Sequence, residues 1–220
     1  MPHLQSVTSS DVVILPHALA GTLSLPKNAH GLIVFAHGSG SSHLSPRNIA
    51  VAKALNDRSF GTFLLDLLTR EEEADRANVF DIPLLAERLV EAVQWLDGQA
   101  PAIGRLPVGL FGASTGAAAA LVAAAQLPER VSAVVSRGGR PDLAGDALAR
   151  VRAPTLLIVG SVDYGVIELD EEAFARLRAP KAIEIVAGAT HLFPEAGAMD
   201  AVIGHAARWF ESHLVKPRCG

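Results

Sequence analysis

Leu110-Phe111-Gly112-Ala113-Ser114-Thr115-Gly116-Ala117-Ala118-Ala119-Ala120-Leu121 decides how this chain folds. The stretch begins in an apolar run, Val108 to Phe111, turns through small residues bracketed by Gly112 and Gly116, and continues as an alanine-rich segment to Gln126. An apolar strand, a tight turn and a helix account for that order, because glycines without Cβ atoms let the strand and the helix approach closely at the turn. The segment lies inside Leu106 to Pro128, 23 residues without a charge. A hydropathy window alone reads such a run as a membrane span. The glycine-rich turn in its middle and the proline at its end argue for strand, turn and helix instead.

Outward from this unit the same alternation repeats. Asp11 to Leu15 and Gly21 to Leu25 are expected to pair as antiparallel strands, and Gly31 to Ala36 is an unbroken apolar run suited to a strand buried on both faces. Ser45-Pro46 reads as the opening of a helix to about Asp57, and Phe63 to Asp66 as the next strand. A charged excursion, Arg70 to Arg76, precedes an amphipathic helix from Ile82 to Leu96, with Leu85, Leu89, Ala92 and Leu96 on one stripe. Strands are then expected at 133–136, 155–159 and 182–186, separated by helices at 143–150, 168–177 and 198–213. Repeated strand and helix crossovers imply one α/β domain over residues 1–220, a mostly parallel sheet with helices on both faces.

Composition fits that layering. Half of the 220 residues are apolar, yet aromatics supply only 5 %, while alanine supplies 37 residues. A net charge of −4, with no long basic run, argues against nucleic acid as a partner. The single cysteine, Cys219, allows no internal disulfide and no thiolate metal cluster. Residues 1–11 carry neither a basic n-region nor a long apolar stretch, so no signal peptide or membrane anchor is read and a cytoplasmic protein is expected.

Ligands of open parallel sheets bind outside the carboxyl ends of the strands, which selects the loops that matter. The turn at 112–116 is a G-x-S-x-G pattern in strand-turn-helix context, in which Ser114 is a candidate nucleophile. The plainer reading is a glycine-rich turn that binds phosphate or nothing. A serine needs a base, and the base needs an orienting group. Asp163 follows the strand 155–159 and His191 follows the strand 182–186, in the chain order serine, acid, histidine. Asp66, also at a strand end, stays open as the orienting acid. The backbone N–H of Thr115 and that of Ser39, in the loop His37-Gly38-Ser39-Gly40, are the candidate oxyanion donors. His37 reads either as a functional group or as a loop brace, and His37 with His43 lacks a third metal ligand. Arg137 and Arg140 are candidates for binding an anionic substrate group, with salt bridges to Asp142 or Asp146 as the bland alternative.

The segments FAHGSGSSHLSPRN at 35–48, LFGASTGAAAAL at 110–121, IVGSVD at 158–163 and GATHLF at 188–193 together resemble the dienelactone-hydrolase-like branch of the α/β-hydrolase superfamily. The resemblance covers nearly the whole chain. It implies an α/β-hydrolase core with Ser114 as nucleophile, His191 as base, Asp163 as orienter, Ser39 and Thr115 as the oxyanion hole, and neither cofactor nor metal. Dienelactone hydrolases carry a cysteine where this chain has Ser114, so the implied activity is general carboxylic ester hydrolysis. The short loop Arg137 to Asp142 leaves no room for a cap domain there, which favours short or aryl esters as small-molecule substrates. Acyl transfer to an alcohol or peroxide, a non-catalytic binding module, and the choice between monomer and homodimer remain open at this level.

Overall fold

The computed structural model describes residues 6–214, so Cys219 lies outside the described residues. Eight strands form one sheet in the order β1-β2-β4-β3-β5-β6-β7-β8. β1 (Val7–Ile14), β2 (Leu19–Pro26) and β4 (Phe60–Leu65) pair antiparallel to one another in that order. β3 (Gly31–Ala36), β5 (Val108–Ser114), β6 (Val131–Gly139), β7 (Thr155–Gly160) and β8 (Lys181–Val186) run parallel, and β3 is also parallel to β4. The expected alternation is present, with wider boundaries. β1 begins at Val7 through the polar run Val7-Thr8-Ser9-Ser10, which an exposed edge strand tolerates. The short helix expected at 143–150 is a kinked 3-10 segment, Pro141–Arg150, broken at Gly145.

Period-two alternation sorts the strand side chains into two cores. Ile33, Phe35, Phe111, Val135 and Ile158 face α1 (Pro46–Asn56) and α8 (Ala198–Leu214), burying Phe60 and Phe210 with them. Leu32, Val34, Leu110, Val134 and Leu157 face the other layer. That layer holds α4 (Ile82–Asp97), α6 (Thr115–Gln126), the 3-10 segment and α7 (Val166–Arg176). The expected stripe Leu85, Leu89, Ala92 and Leu96 is the buried side of α4, and burying each leucine stabilises by about 1.5–3 kcal/mol. The helix starts where sequence chemistry directs, with the Asp81 carboxylate accepting from the Leu84 N–H at 3.0 Å.

Alanine is concentrated where space is smallest. α6 is flanked by β5 and β6 on one side and by α4 and the 3-10 segment on others, and Ala117, Ala118, Ala119, Ala120, Ala123 and Ala124 are all fully buried. The uncharged run at 106–128 is therefore β5, its turn and α6. No helix among the described residues is long and apolar enough to cross a membrane.

The strand order reverses between β3 and β5. From their adjacent carboxyl ends the chain leaves to opposite faces, into α1 after β3 and into α6 after β5. Crevices in open α/β sheets form at this kind of switch point, and here the loops that diverge are 37–45 and the turn at Ser114. A small charged segment completes the rim: α2 (Arg70–Ala74) and α3 (Arg76–Val79) occupy the region expected as an excursion, and α5 (Pro101–Gly104) leads into β5.

Candidate active site

Ser114 ends β5 with φ 51° and ψ −126°, a left-handed backbone that a residue with a Cβ rarely adopts. Such a conformation costs about 1–3 kcal/mol and persists only where neighbours over-determine it. A Cβ on Gly112 would collide with the Ala117 backbone, and one on Gly116 would overlap the Ala36 and His37 carbonyl oxygens. The two glycines thus let α6 start directly against β3 and β5. Ser114 occupies the N-cap position of α6, where serine normally accepts a backbone N–H, yet its side chain makes no capping bond. Among the described residues the hydroxyl has no hydrogen bond at all, so the turn presents it rather than consumes it.

The acid and the imidazole are already joined. His191 Nδ1 lies 2.8 Å from Asp163 Oδ2, with the carboxylate side chain 10 % and the imidazole 37 % exposed. Their two loops are tied to each other: Ser161 Oγ accepts from the Gly188 N–H at 2.7 Å, and the Val162 N–H donates to the Ala189 carbonyl at 3.0 Å. Since a carboxylate only accepts, the geometry assigns the proton to Nδ1 and leaves Nε2 as the outward lone pair. Nε2 has no protein partner among the described residues. The histidine loop also passes over the strand beside Ser114: Ser114 is in register with Gly139, and a Cβ on Gly138 would stand 2.6 Å from the His191 carbonyl oxygen. No direct hydrogen bond joins Ser114 to His191 among the described residues.

Asp66, the alternative acid, is committed elsewhere. It accepts from the His43 N–H at 2.6 Å and pairs with His43 Nδ1 at 2.8 Å. His37 is buried, its Nδ1 bonded to the Gly38 carbonyl at 2.9 Å and its Nε2 receiving the Leu67 N–H at 3.2 Å. Nε2 ties the loop after β3 to the loop after β4, while Nδ1 fixes the ring to its own loop. These bonds are those of the loop brace, and the ring also lines the cleft beside Ser39 and Thr115. Arg140 makes a two-pronged pair with Asp142, at 2.9 and 2.8 Å, which is the bland alternative expected for it. Arg137 behaves differently: it is buried, and its Nε and Nη1 have no hydrogen-bond partner among the described residues.

Ser39 and Thr115 line one narrow cleft with His37 and Gly38. Gly38 is pressed against the nucleophile turn so closely that a Cβ there would lie 2.7 Å from the Ser114 Cβ. From Ser39 the cleft opens into a depression of about 330 Å³ walled by Glu73, Arg76, Val79 and Phe80. These α2–α3 residues were not singled out from sequence. Their only signal was a charged excursion placed between a strand and a helix.

A second missed residue is Asp170, on α7, fully buried with both carboxyl oxygens unpartnered among the described residues. Burial pushes its carboxyl up to about 8, with the Asp163 and Asp142 charges adding to the rise. Near neutral pH it is therefore mostly protonated and adds little negative charge beside Asp163. The sign for stability follows from linkage. A carboxyl whose folded pKa exceeds its unfolded value of about 4 favours the fold fully below pH 4 and loses that contribution as pH rises to about 8, by at most roughly 1.4 kcal/mol per unit. Asp170→Asn is expected to lose less stability than the wild type between pH 5 and pH 8, measured by urea unfolding. Equal losses would show that Asp170 does not carry this proton.

A family model described as the alpha/beta hydrolase fold matches residues 31–157. The chain belongs to the α/β-hydrolase family. It is 50 % identical to a dienelactone hydrolase from Anabaena variabilis, with a TM-score of 0.91 over 96 % of this chain and 100 % of that one, which places it in the dienelactone-hydrolase-like branch. It is also 55 % identical over 206 residues to Mycobacterium tuberculosis proteins named as phosphoribosyl transferases, covering 94 % of this chain and 46 % of theirs. This α/β-hydrolase thus spans about half the length of those curated relatives. Est1E from Butyrivibrio proteoclasticus shares the fold at 14 % identity, with a TM-score of 0.79 over 94 % of this chain and 99 % of Est1E.

Proposed function

We propose that this α/β-hydrolase cleaves short or aryl carboxylic esters through an acyl-Ser114 intermediate. The observation that carries the reading is the Asp163–His191 pair at 2.8 Å, held at the same end of the sheet as a serine whose strained turn keeps its hydroxyl out of helix capping. In this reading His191 Nε2 takes the Ser114 proton as Oγ bonds to the ester carbonyl carbon. Asp163 holds the imidazole in the Nδ1–H form and stabilises the imidazolium that results. The N–H groups of Thr115 and Ser39, with the N-terminus of α6, receive the developing oxyanion. His191 returns the proton to the leaving alcohol, then removes one from water in the second half-reaction. The depression walled by Val79 and the half-exposed Phe80 suits a small apolar or aryl group.

A fluorophosphonate probe is expected to label Ser114, located by peptide mass spectrometry, and to label His191→Ala far more slowly. Label on another residue, or undiminished labelling without His191, would overturn the acyl-serine reading.

A further inference from the structure

A second cavity lies apart from the catalytic cleft, between α1 and the antiparallel side of the sheet. It holds about 200 Å³ and shares no lining residue with the cleft at Ser39 and Thr115. Strand register and helix periodicity build it. Thr22 pairs with Leu64 and Ser24 with Thr62 across β2 and β4, so alternation puts all four on one face as a floor. Ile49, Lys53 and Asn56, at helical spacing, supply the wall from α1. His43 and Leu44, from the loop after β3, complete the rim. Leu44 and Ile49 are 64 % and 45 % exposed, so the rim offers apolar surface that no described residue covers.

Most polar groups of this cavity are already bonded. Ser24 Oγ meets Ser9 Oγ at 2.9 Å, and Thr22 Oγ1 donates to Asp11 at 3.2 Å. The Asn56 amide donates to the Phe60 carbonyl at 2.9 Å and to Thr62 Oγ1 at 3.1 Å. Two groups remain. The Lys53 ammonium has neither a hydrogen bond nor an ion pair among the described residues, and His43 Nε2 has no partner there either. Asp66 takes the other His43 ring nitrogen at 2.8 Å and the His43 N–H at 2.6 Å. No carboxylate lines the cavity. One unbalanced positive charge and one open imidazole nitrogen therefore stand over a floor that needs no further partner. The volume falls below the roughly 300–1,000 Å³ of pockets for drug-sized ligands, which restricts an occupant to about one ring or a short chain.

We propose that this cavity binds a small apolar carboxylate, its ring or chain against Leu44, Ile49 and Leu64 and its carboxylate between the Lys53 ammonium and His43 Nε2. Charge complementarity selects the class. An acid brought to Nε2, whichever partner holds the proton, makes a charge-assisted hydrogen bond, and Lys53 attracts the anion. The His43 ring is then bonded at both nitrogens, through Nδ1 to Asp66 and through Nε2 to the ligand. That ring belongs to the loop that carries Ser39, so occupancy braces the segment presenting a candidate oxyanion donor. The acid released by ester hydrolysis is of the same class; that link rests on the ester-hydrolase reading, whereas the binding does not.

Benzoate is the probe, and benzyl alcohol, the same ring without the charge, is its control. In long-range proton–nitrogen correlation spectra of the histidine side chains, benzoate is expected to shift the His43 ring signals saturably, and benzyl alcohol far less. Thr22→Phe fills the floor with a residue suited to a strand and is expected to abolish the shift. Lys53→Gln, at an exposed position, keeps the question answerable if Thr22→Phe does not fold. It is expected to weaken benzoate about three- to fivefold, the scale of one exposed charge contact. Amide hydrogen exchange over residues 38–43 is expected to slow with benzoate in the wild type and not in Thr22→Phe. No saturable shift at His43, shifts confined to His191, an equal response to benzyl alcohol, or a wild-type response in both variants overturns the site. Unchanged exchange at saturating benzoate overturns the bracing. None of these readouts uses turnover. If Ser114 takes no fluorophosphonate label, the hydrolase reading falls, and the benzoate titration still decides the cavity.

Discussion

Ser114→Gly is expected to abolish ester hydrolysis while making the protein more stable. The two effects have one origin in the turn at the end of β5. A serine at φ 51°, ψ −126° holds its Cβ where backbone sterics disfavour it, at about 1–3 kcal/mol. Glycine adopts that conformation freely, but it also gives the unfolded chain more freedom, which offsets roughly 0.4–1 kcal/mol of the gain. The remainder, about 1 kcal/mol in favour of the variant, is measurable by urea unfolding. Ser114→Ala keeps the Cβ and is expected to show no comparable gain. Both variants lack the attacking oxygen. Where a serine, a histidine and an acid act as a unit, removing the serine costs about 10⁶-fold in kcat, so both should fall to the background of oxyanion stabilisation and binding. Equal stability of the two variants would remove the strain argument, and substantial turnover in either would remove Ser114 as the nucleophile.

That turn was also the most legible part of the sequence, for a physical reason. Gly112, Ser114 and Gly116 are fixed by close backbone approach, a constraint that leaves its mark at single positions. The apolar runs of β3, β5 and β7 are similarly plain because both faces of each strand are buried. What sequence did not reveal depends on contacts across the fold. Asp163 and Asp66 both follow strands, and only the partner of each, His191 or His43, tells them apart. Arg137 and Arg140 stand three residues apart on one strand end, yet one is buried without a counter-charge and the other is paired. The α2–α3 wall shows no periodicity because it packs as two short turns. Asp170 left a faint trace. It falls at helical spacing with the buried Ala173 and Leu177, so a carboxyl on an apolar stripe was visible as a pattern without a reason.

Asp163→Asn is expected to lower kcat by about 10⁴-fold with little change in fold, the scale seen when a triad acid becomes an amide. The geometry explains why so small a change matters. Asp163 Oδ2, as a pure acceptor 2.8 Å from Nδ1, admits only the tautomer with its proton on Nδ1. An asparagine can turn its NH₂ toward that nitrogen, and the imidazole then carries its proton on Nε2, where a base must instead offer a lone pair. The amide also lacks the negative charge that stabilises the imidazolium. Asp66→Asn provides the contrast. Its carboxylate serves His43 through two bonds, so its loss is expected to cost about 1.5–3 kcal/mol in stability and at most roughly tenfold in rate, through slackening of the loop that presents Ser39. Initial rates on a p-nitrophenyl ester, read beside urea unfolding, separate the two acids. A 10⁴-fold loss in Asp66→Asn with a mild effect in Asp163→Asn would transfer the orienting role to Asp66. It would also mean that the histidine loop moves, because the bond that now holds His191 would have to break before catalysis begins.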